Sequence, residues 1–336
     1  MDEIKFSCIM TFFNEGPLIS GAIQSVLGQS YRNFELILVD DGSTNDTAQY
    51  VEQFDDPRIR MIQQANDGLS SARNRAISLA TGNYICFLDA DDARPFWAFE
   101  SMKRVIDDGQ PDLIFCRSIL SELRNELIPF YDGHLFDDAL ALLEGRPTLR
   151  SNDPRFGVLL AIAQLIEPQS ANKAVKTSYL KRYHNGFPNG HFFEDIFFHT
   201  ACIATAGSVG FVDDPAFTYF RRFGRPQITA SSDSIRFDAI AVARMTLQYF
   251  EGSPRFDNSL LRAAVLASVG RMVDWCGKSI SHHHRFHFNE LYRFVLSEIS
   301  PLYGELNPEL PPFFGKFVPA LDSVRGKVRS SNSVTA

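Results

Sequence analysis

Three carboxylates crowd the end of one apolar run, Tyr84-Ile85-Cys86-Phe87-Leu88-Asp89-Ala90-Asp91-Asp92. The apolar residues fit a buried strand, whereas clustered aspartates repel one another and cost stability unless something cationic sits among them. Asp89 and Asp91 are two apart, so on an extended chain their side chains point the same way. Two carboxylates converging at the carboxyl end of a strand suit a hard divalent ion that also binds phosphate oxygens. A lone Asp-x-Asp equally suits a solvated turn after a core strand, and the choice between these readings rests on the rest of the chain.

Similar polar clusters follow other apolar runs. Phe6 to Phe13 leads into Asn14-Glu15, and Phe34 to Val39 leads into Asp40-Asp41-Gly42-Ser43-Thr44. Between them Leu18, Ile19, Ala22, Ile23, Val26 and Leu27 recur with helical spacing. Ser43 or Thr44 is placed to cap a helix over 46–54. Arg58 to Gln63 reads as a third strand, 69–80 as a helix closed by Gly82, Tyr84 to Leu88 as a fourth strand and Asp112 to Arg117 as a fifth. Pro95 suits the first turn of the intervening helix.

Strands separated by helices predict an α/β fold with a doubly wound, mostly parallel sheet. Ligands in such sheets bind beyond the carboxyl ends of the strands, near the switch in strand order. Both acidic clusters fall there. After about residue 118 the rhythm is lost, apart from a strong turn signal at Asn185-Gly186-Phe187-Pro188-Asn189-Gly190. Residues 235–300 read as helical, with Leu260, Leu261, Ala264, Val265, Ala267 and Val269 on a packed face. Three regions are expected: 1–118, 119–234 and a helical extension over 235–336 ending in a flexible tail.

A chain of 336 residues is longer than most single domains, which agrees with a core plus an appendage. Its net charge, 33 − 40 = −7, argues against a general nucleic-acid binder but leaves room for a local basic pocket. No segment approaches the roughly 20 apolar residues of a membrane span. Met1-Asp2-Glu3-Ile4-Lys5 lacks the basic start and apolar core of a signal peptide. Cys8, Cys86, Cys116, Cys202 and Cys276 are odd in number and widely spaced, so they read as reduced core residues of a cytoplasmic protein.

Four segments taken in order are more specific than any one of them: Thr11-Phe12-Phe13-Asn14-Glu15, Val39-Asp40-Asp41-Gly42-Ser43-Thr44, Asn66 to Asn74, and Asp89-Ala90-Asp91. This set resembles the family 2 glycosyltransferases, nucleotide-sugar enzymes of the GT-A fold. The resemblance is strong over 4–118, weaker to about 230 and absent beyond. It implies a nucleotide at the first two strand ends. Asp41 would accept the imide N–H of a uracil-type base, and Asp40 would support the loop. Phe13 would pack on the base in place of the frequent Tyr, with Thr11 reaching base or ribose and Glu15, Asn66 and Gly68 in the same binding segments. Arg73 would reach the diphosphate, Asp89 with Ala90 the ribose or metal-bound water, and Asp91 the Mn²⁺ or Mg²⁺.

The same resemblance gives Phe192-Phe193-Glu194-Asp195 the acceptor side. Asp195 would be the general base and Glu194 would orient it or the acceptor, apolar neighbours raising the base's pKa. In-line displacement then inverts the anomeric carbon. Tyr219-Phe220-Arg221-Arg222-Phe223-Gly224-Arg225 resembles a basic lid segment, although this chain lacks the usual histidine there. One or two of Arg221, Arg222 and Arg225 would fold over the diphosphate.

The implied activity is metal-dependent transfer from a nucleoside diphosphate sugar, UDP-sugar favoured, to a hydroxyl of a saccharide or lipid-linked saccharide, as in surface polysaccharide synthesis. The apolar-then-basic tail, Pro311 to Arg329, is compatible with peripheral contact at the inner face of a membrane. Two other readings are a haloacid dehalogenase-like phosphatase and a non-catalytic carbohydrate-binding protein on a degenerate transferase fold. The phosphatase motif usually follows the first strand and carries Thr, unlike Asp89-Ala90-Asp91-Asp92-Ala93. His282-His283-His284 and His287 lack a carboxylate at clear ligand spacing and read as a polar interhelical turn.

Overall fold

The computed structural model describes residues 3–121, 126–221, 234–305 and 310–332. Arg222 and Arg225 of the expected lid, and the tail after 332, lie outside the described residues.

Strands β1 (Phe6–Phe12), β2 (Phe34–Asp40), β3 (Ile59–Gln63) and β4 (Tyr84–Phe87) are parallel in the order β3-β2-β1-β4. Helices α1 (Leu18–Leu27), α2 (Thr47–Val51) and α3 (Leu69–Leu79) make the crossovers. Every residue of β1, β2 and β4 is buried, as expected of parallel strands covered on both faces. Helix α4 (Ala98–Gly109) leads to β5 (Leu113–Ser121), so the boundary expected at 118 falls within that strand.

Beyond β5 come β6 (Leu127–Pro129), α5 (Gly133–Leu143), β7 (Thr148–Arg150), α6 (Phe156–Leu165), β8 (Lys173–Lys176), α7 (Thr177–Tyr183), α8 (Asp195–Thr205) and β9 (Ser208–Phe220). The sheet runs β3-β2-β1-β4-β8-β5-β9-β7, with β6 on β5. Of the nine described strands, β6, β7 and β8 oppose the other six. The mostly parallel expectation therefore holds by direction, but β8 inserts antiparallel between β4 and β5. Its four residues, Lys-Ala-Val-Lys, are too short to show a strand period.

Two local readings differ. Helix α2 spans five residues and neither expected cap serves it: Ser43 accepts a hydrogen bond from the β1 loop and Thr44 donates to Asn14, while Asn45 Oδ1 accepts the Thr47 N–H at 3.1 Å. Helix α4 begins at Ala98, and Pro95 lies in the turn before it, accepting the Ala98 N–H.

The chain clusters into two compact units: Met1–Ser151, Gln169–Gly190 and Ala206–Phe223; and Asn152–Pro168, His191–Thr205 and Gly224–Ala336. The first contains the sheet. There Phe6 stacks on Phe99 at 5.0 Å and meets Tyr31 edge-on at 5.9 Å. The second contains α6, α8, α9 (Asp238–Glu251), α10 (Ser259–Ser279), α11 (Arg285–Glu298) and α12 (Val318–Asn332). Helix α10 is buried nearly all round over Leu261–Gly270, not on the single face expected, because α6, α9, α11 and α12 all pack against it. His282–His284 form a short turn between α10 and α11.

In the terminal segment Phe314, Phe317, Leu321, Val324 and Val328 are buried. Among the described residues no helix is long and apolar enough to cross a membrane.

At the amino ends of the strands Glu35 ties three segments together. Its carboxylate accepts Ser7 Oγ at 2.6 Å and both the N–H and Oγ1 of Thr81 at 2.8 Å. Gly82 is required beside them, since a Cβ there would lie 2.7 Å from the backbone of Phe6 and Ser7. Burial alone would push the Glu35 pKa up, but the Ser7 and Thr81 hydrogen bonds, helped by the Lys5 cation, hold it below the ordinary 4.5. A depressed folded-state pKa contributes stability that is present above the unfolded-state value and lost as pH falls through the folded one. Glu35→Gln is therefore expected to lose less stability than the parent protein between about pH 5 and about pH 3 in chemical denaturation. Parallel stability curves for the two proteins would contradict this.

Candidate functional site

The carboxyl ends of β1 and β2 lie side by side, with Thr11 in register with Val39 and Phe12 with Asp40. Asn14, in the left-handed region at φ 57°, stitches their loops together. Its N–H donates to Ser43 Oγ at 3.0 Å, and its Oδ1 accepts the N–H groups of Thr44 at 2.8 Å and Asn45 at 3.2 Å. Asp40 accepts the Ser43 N–H at 2.8 Å. Thr11 is nearly buried and Glu15 half-buried, whereas Phe13 stands 46% exposed, an open ring on which a planar ligand can stack.

Asp41 is buried, and its carboxylate shapes the loop after β3. It accepts Gln64 Nε2 at 2.8 Å, the Asp67 N–H at 3.0 Å and the Gly68 N–H at 2.9 Å. A carboxylate has about four lone-pair sites, so these bonds leave capacity for one further donor. Gly42 makes the close approach possible: at φ 80°, a Cβ there would stand 2.8 Å from the Asn66 backbone nitrogen. Asn66 itself is exposed, and Gly68, at φ 88°, opens α3.

Arg73 on α3 is only 3% exposed, yet it carries a full charge. Its guanidinium donates to Asp89 Oδ1 at 2.9 Å and lies 4.9 Å from the centre of the Phe187 ring. Phe187 is held in turn by Asn74. The amide of Asn74 accepts the Phe187 N–H at 2.9 Å and donates to its carbonyl at 2.8 Å. The 185–190 turn expected from sequence is thus fastened to α3, and it supplies the aromatic lid over the arginine. Asp89 retains 46% side-chain exposure, so its carboxylate faces both Arg73 and solvent.

Ala90 is buried and contributes backbone only. Asp91 is half-buried, while Asp92 is 2% exposed and accepts the Phe220 N–H at 2.9 Å. Ala93 and Thr218 exchange two further backbone bonds, of 3.2 and 2.8 Å. Together these bonds splice the acidic loop onto the end of β9, just before the basic segment. Arg221 is exposed there, its N–H bonded to the Ser121 carbonyl at 3.0 Å. Burial, reinforced by the carboxylates of Asp92 and Asp91, pushes the Tyr219 pKa up to about 12, so its hydroxyl stays a protonated donor at neutral pH.

Among the described residues no three His, Cys, Asp or Glu side chains form a ready metal cage. Asp89 and Asp91 still fit a hard divalent ion by their chemistry. Mg²⁺-type ions are commonly held by one or two carboxylates together with a ligand's phosphates.

Glu194 and Asp195 belong to the second compact unit. Glu194 is buried, and Asp195 is the first residue of α8. The preceding Phe193 has φ 65°.

Sequence reasoning missed Asn14, Gln64, Asn74, Phe187 and Asp92 as members of the site. A strand-end Asn and the Asn-Gly turn carried a faint signal; the rest act through partners more than 20 residues away, which no local pattern reveals.

Residues 7–150 match the family model described as glycosyl transferase family 2. The chain is 39% identical over 112 residues to EpsJ, an uncharacterized glycosyltransferase of Bacillus subtilis, covering 33% of each chain. Over 93 residues it is 42% identical to WfgD of Escherichia coli, a UDP-Glc:alpha-D-GlcNAc-diphosphoundecaprenol beta-1,3-glucosyltransferase, covering 27% of this chain and 37% of WfgD. These matches span about a third of the length of the curated relatives. The crystal structure of S. aureus TarS in complex with UDP-GlcNAc superposes with a TM-score of 0.71 at 17% identity, covering 98% of this chain and 92% of that one. The likeness establishes the GT-A fold.

The splice at Asp92 can be tested by itself. Asp92→Ala strands the Phe220 N–H without its acceptor, at an expected cost of about 1–3 kcal/mol in denaturant unfolding. Asp92→Asn keeps an acceptor oxygen and is expected to lose much less. Equal losses in the two variants would mean that the carboxylate's charge, and not its hydrogen bond, matters there.

Proposed function

By its residues 7–150 the chain belongs to glycosyl transferase family 2, and from that premise we propose that it transfers a sugar from a nucleoside diphosphate donor, a UDP-sugar, to a hydroxyl of a saccharide or lipid-linked saccharide, with inversion. The observation that carries this reading is the convergence of Phe13, Asp41, Arg73 and Asp89 at the carboxyl ends of neighbouring parallel strands and the start of α3. The donor class is supported by WfgD, whose described donor is UDP-Glc, and by the UDP-GlcNAc bound to TarS. WfgD's diphosphoundecaprenol acceptor supports the lipid-linked option.

The exposed Phe13 ring stacks on the base, and the remaining capacity of Asp41 accepts its imide N–H. Arg73, held by Asp89 at 2.9 Å, would offset charge on the departing diphosphate with its fixed charge. Asp91 and Asp89 would hold Mn²⁺ or Mg²⁺, which when bound neutralises charge on the leaving diphosphate. The acceptor oxygen forms its bond to the anomeric carbon as the bond to the diphosphate breaks, and the electron pair leaves with the nucleotide. Asp195 takes the acceptor's proton, with Glu194 orienting it; this assignment rests on the Phe-Phe-Glu-Asp motif alone. Placement of the Asp-Ala-Asp after the fourth strand, not the first, disfavours the phosphatase reading.

A thermal-shift screen of nucleotide sugars tests the donor, since binding stabilises the fold by mass action. UDP-glucose or UDP-GlcNAc with Mn²⁺ at about 100 times Kd is expected to add about 2.7 kcal/mol, a rise of several degrees in Tm. No rise with any UDP-sugar would sink the donor assignment. Asp91→Ala is expected to abolish the Mn²⁺-dependent part of that rise. Asp195→Asn is expected to keep the rise but lower turnover by about 10²–10⁴; comparable turnover would remove Asp195 from the base role.

A further inference from the structure

We propose that the helical extension, which lies outside the family-matched residues 7–150, supplies the positioning residues of the Glu194-Asp195 pair: Asp238 on α9 and Trp275 on α10. The inference rests on the reading of Asp195 as the base. Phe193 immediately precedes the pair and holds φ 65°, a conformation that a bulky residue adopts only when its surroundings impose it. Contacts on both sides of it do so.

On the amino-terminal side the Asp238 carboxylate accepts the Phe192 N–H at 3.1 Å, and its other oxygen lies 3.4 Å from His191 Nδ1. At Phe193 itself the ring meets Trp275 edge-to-face, with centroids 6.1 Å apart and planes at 84°. The indole is backed by Arg236, a fully buried guanidinium 4.5 Å from the ring centre that also donates to Cys276 Sγ at 3.6 Å. Within the first turn of α8, Phe197 packs edge-on against Tyr249 of α9 at 5.2 Å. Asp195 is thus bracketed at 192, 193 and 197 by three side chains, all from residues beyond 234. A carboxylate that must meet a transferable proton within hydrogen-bond reach gains from such a fixed mount.

None of these three side chains is assigned to touch substrate, so the test must detect action through Asp195. The assay is UDP release from UDP-glucose or UDP-GlcNAc, whichever the thermal-shift screen selects. Trp275→Ala is expected to lower kcat about tenfold with donor KM within about twofold, and Trp275→Phe to restore most of the loss. In an Asp195→Asn background the same Trp275→Ala change is expected to cost less than about twofold, because residues acting as a unit are not additive. Asp238→Ala is expected to follow the same pattern.

An equal fall in both backgrounds, or an unchanged kcat in Trp275→Ala, would overturn the proposal. If Trp275→Ala does not fold, Phe193→Gly takes its place: glycine keeps the left-handed backbone while removing the ring. Turnover that survives Asp195→Asn would instead defeat the base assignment, and no turnover of either sugar nucleotide would defeat the donor reading.

Discussion

A carboxylate taken out of water needs donors or a cation for its oxygens, and this requirement governs the loops at the carboxyl ends of the parallel strands. Four of the acids there each have their own solution. Asp40 takes the Ser43 N–H, Asp41 takes three donors from the 64–68 loop, and Asp92 takes the Phe220 N–H. Asp89 faces the guanidinium of Arg73. Because every solution recruits a different segment, satisfying the acids also shapes the site. The loop after β3, the start of α3 and the end of β9 are all positioned by an aspartate oxygen.

Arg73 shows how one buried cation can organise neutral partners as well. Its charge is balanced by Asp89 on one side and met by the Phe187 ring on the other, and Asn74 fixes that ring through its backbone. A guanidinium held this way keeps its charge and orientation without a ligand, the preorganisation that electrostatic stabilisation of an anion requires. Tyr219, kept protonated by burial and by Asp92 and Asp91, adds a neutral donor at the same loop.

The helical unit follows a different logic. Its centre is α10, buried almost all round, and the apolar residues of the terminal segment pack into it. Against this rigid mass the strained turn at Phe193 is held by Trp275 and by Asp238. Conformations of this kind persist where surrounding structure over-determines them.

Much of the sheet was legible from residue order. Apolar runs at β1, β2 and β4, helical spacing in α1 and Gly-rich strand ends are contiguous patterns, and a contiguous pattern survives without its tertiary context. The acids were legible by type for the same reason: Asp40, Asp41, Asp89 and Asp91 stand where an α/β sheet binds ligands. What the sequence by itself determined, then, was the parallel half of the sheet and the identity of its acidic groups.

Tertiary structure decided the rest. Strand β8 is too short to signal itself, and it pairs with β4 and β5 on its two sides. The third acid, Asp92, has its partner Phe220 128 residues away. Asn74 and Phe187 became part of the site only through a hydrogen bond across 113 positions. The periodicity of α10 suggested one packed face because pattern reports where apolar residues are, not how many helices will cover them. Long-range pairing is chosen by the whole fold, since its free energy depends on which segments meet, and that choice is written in no local stretch of chain.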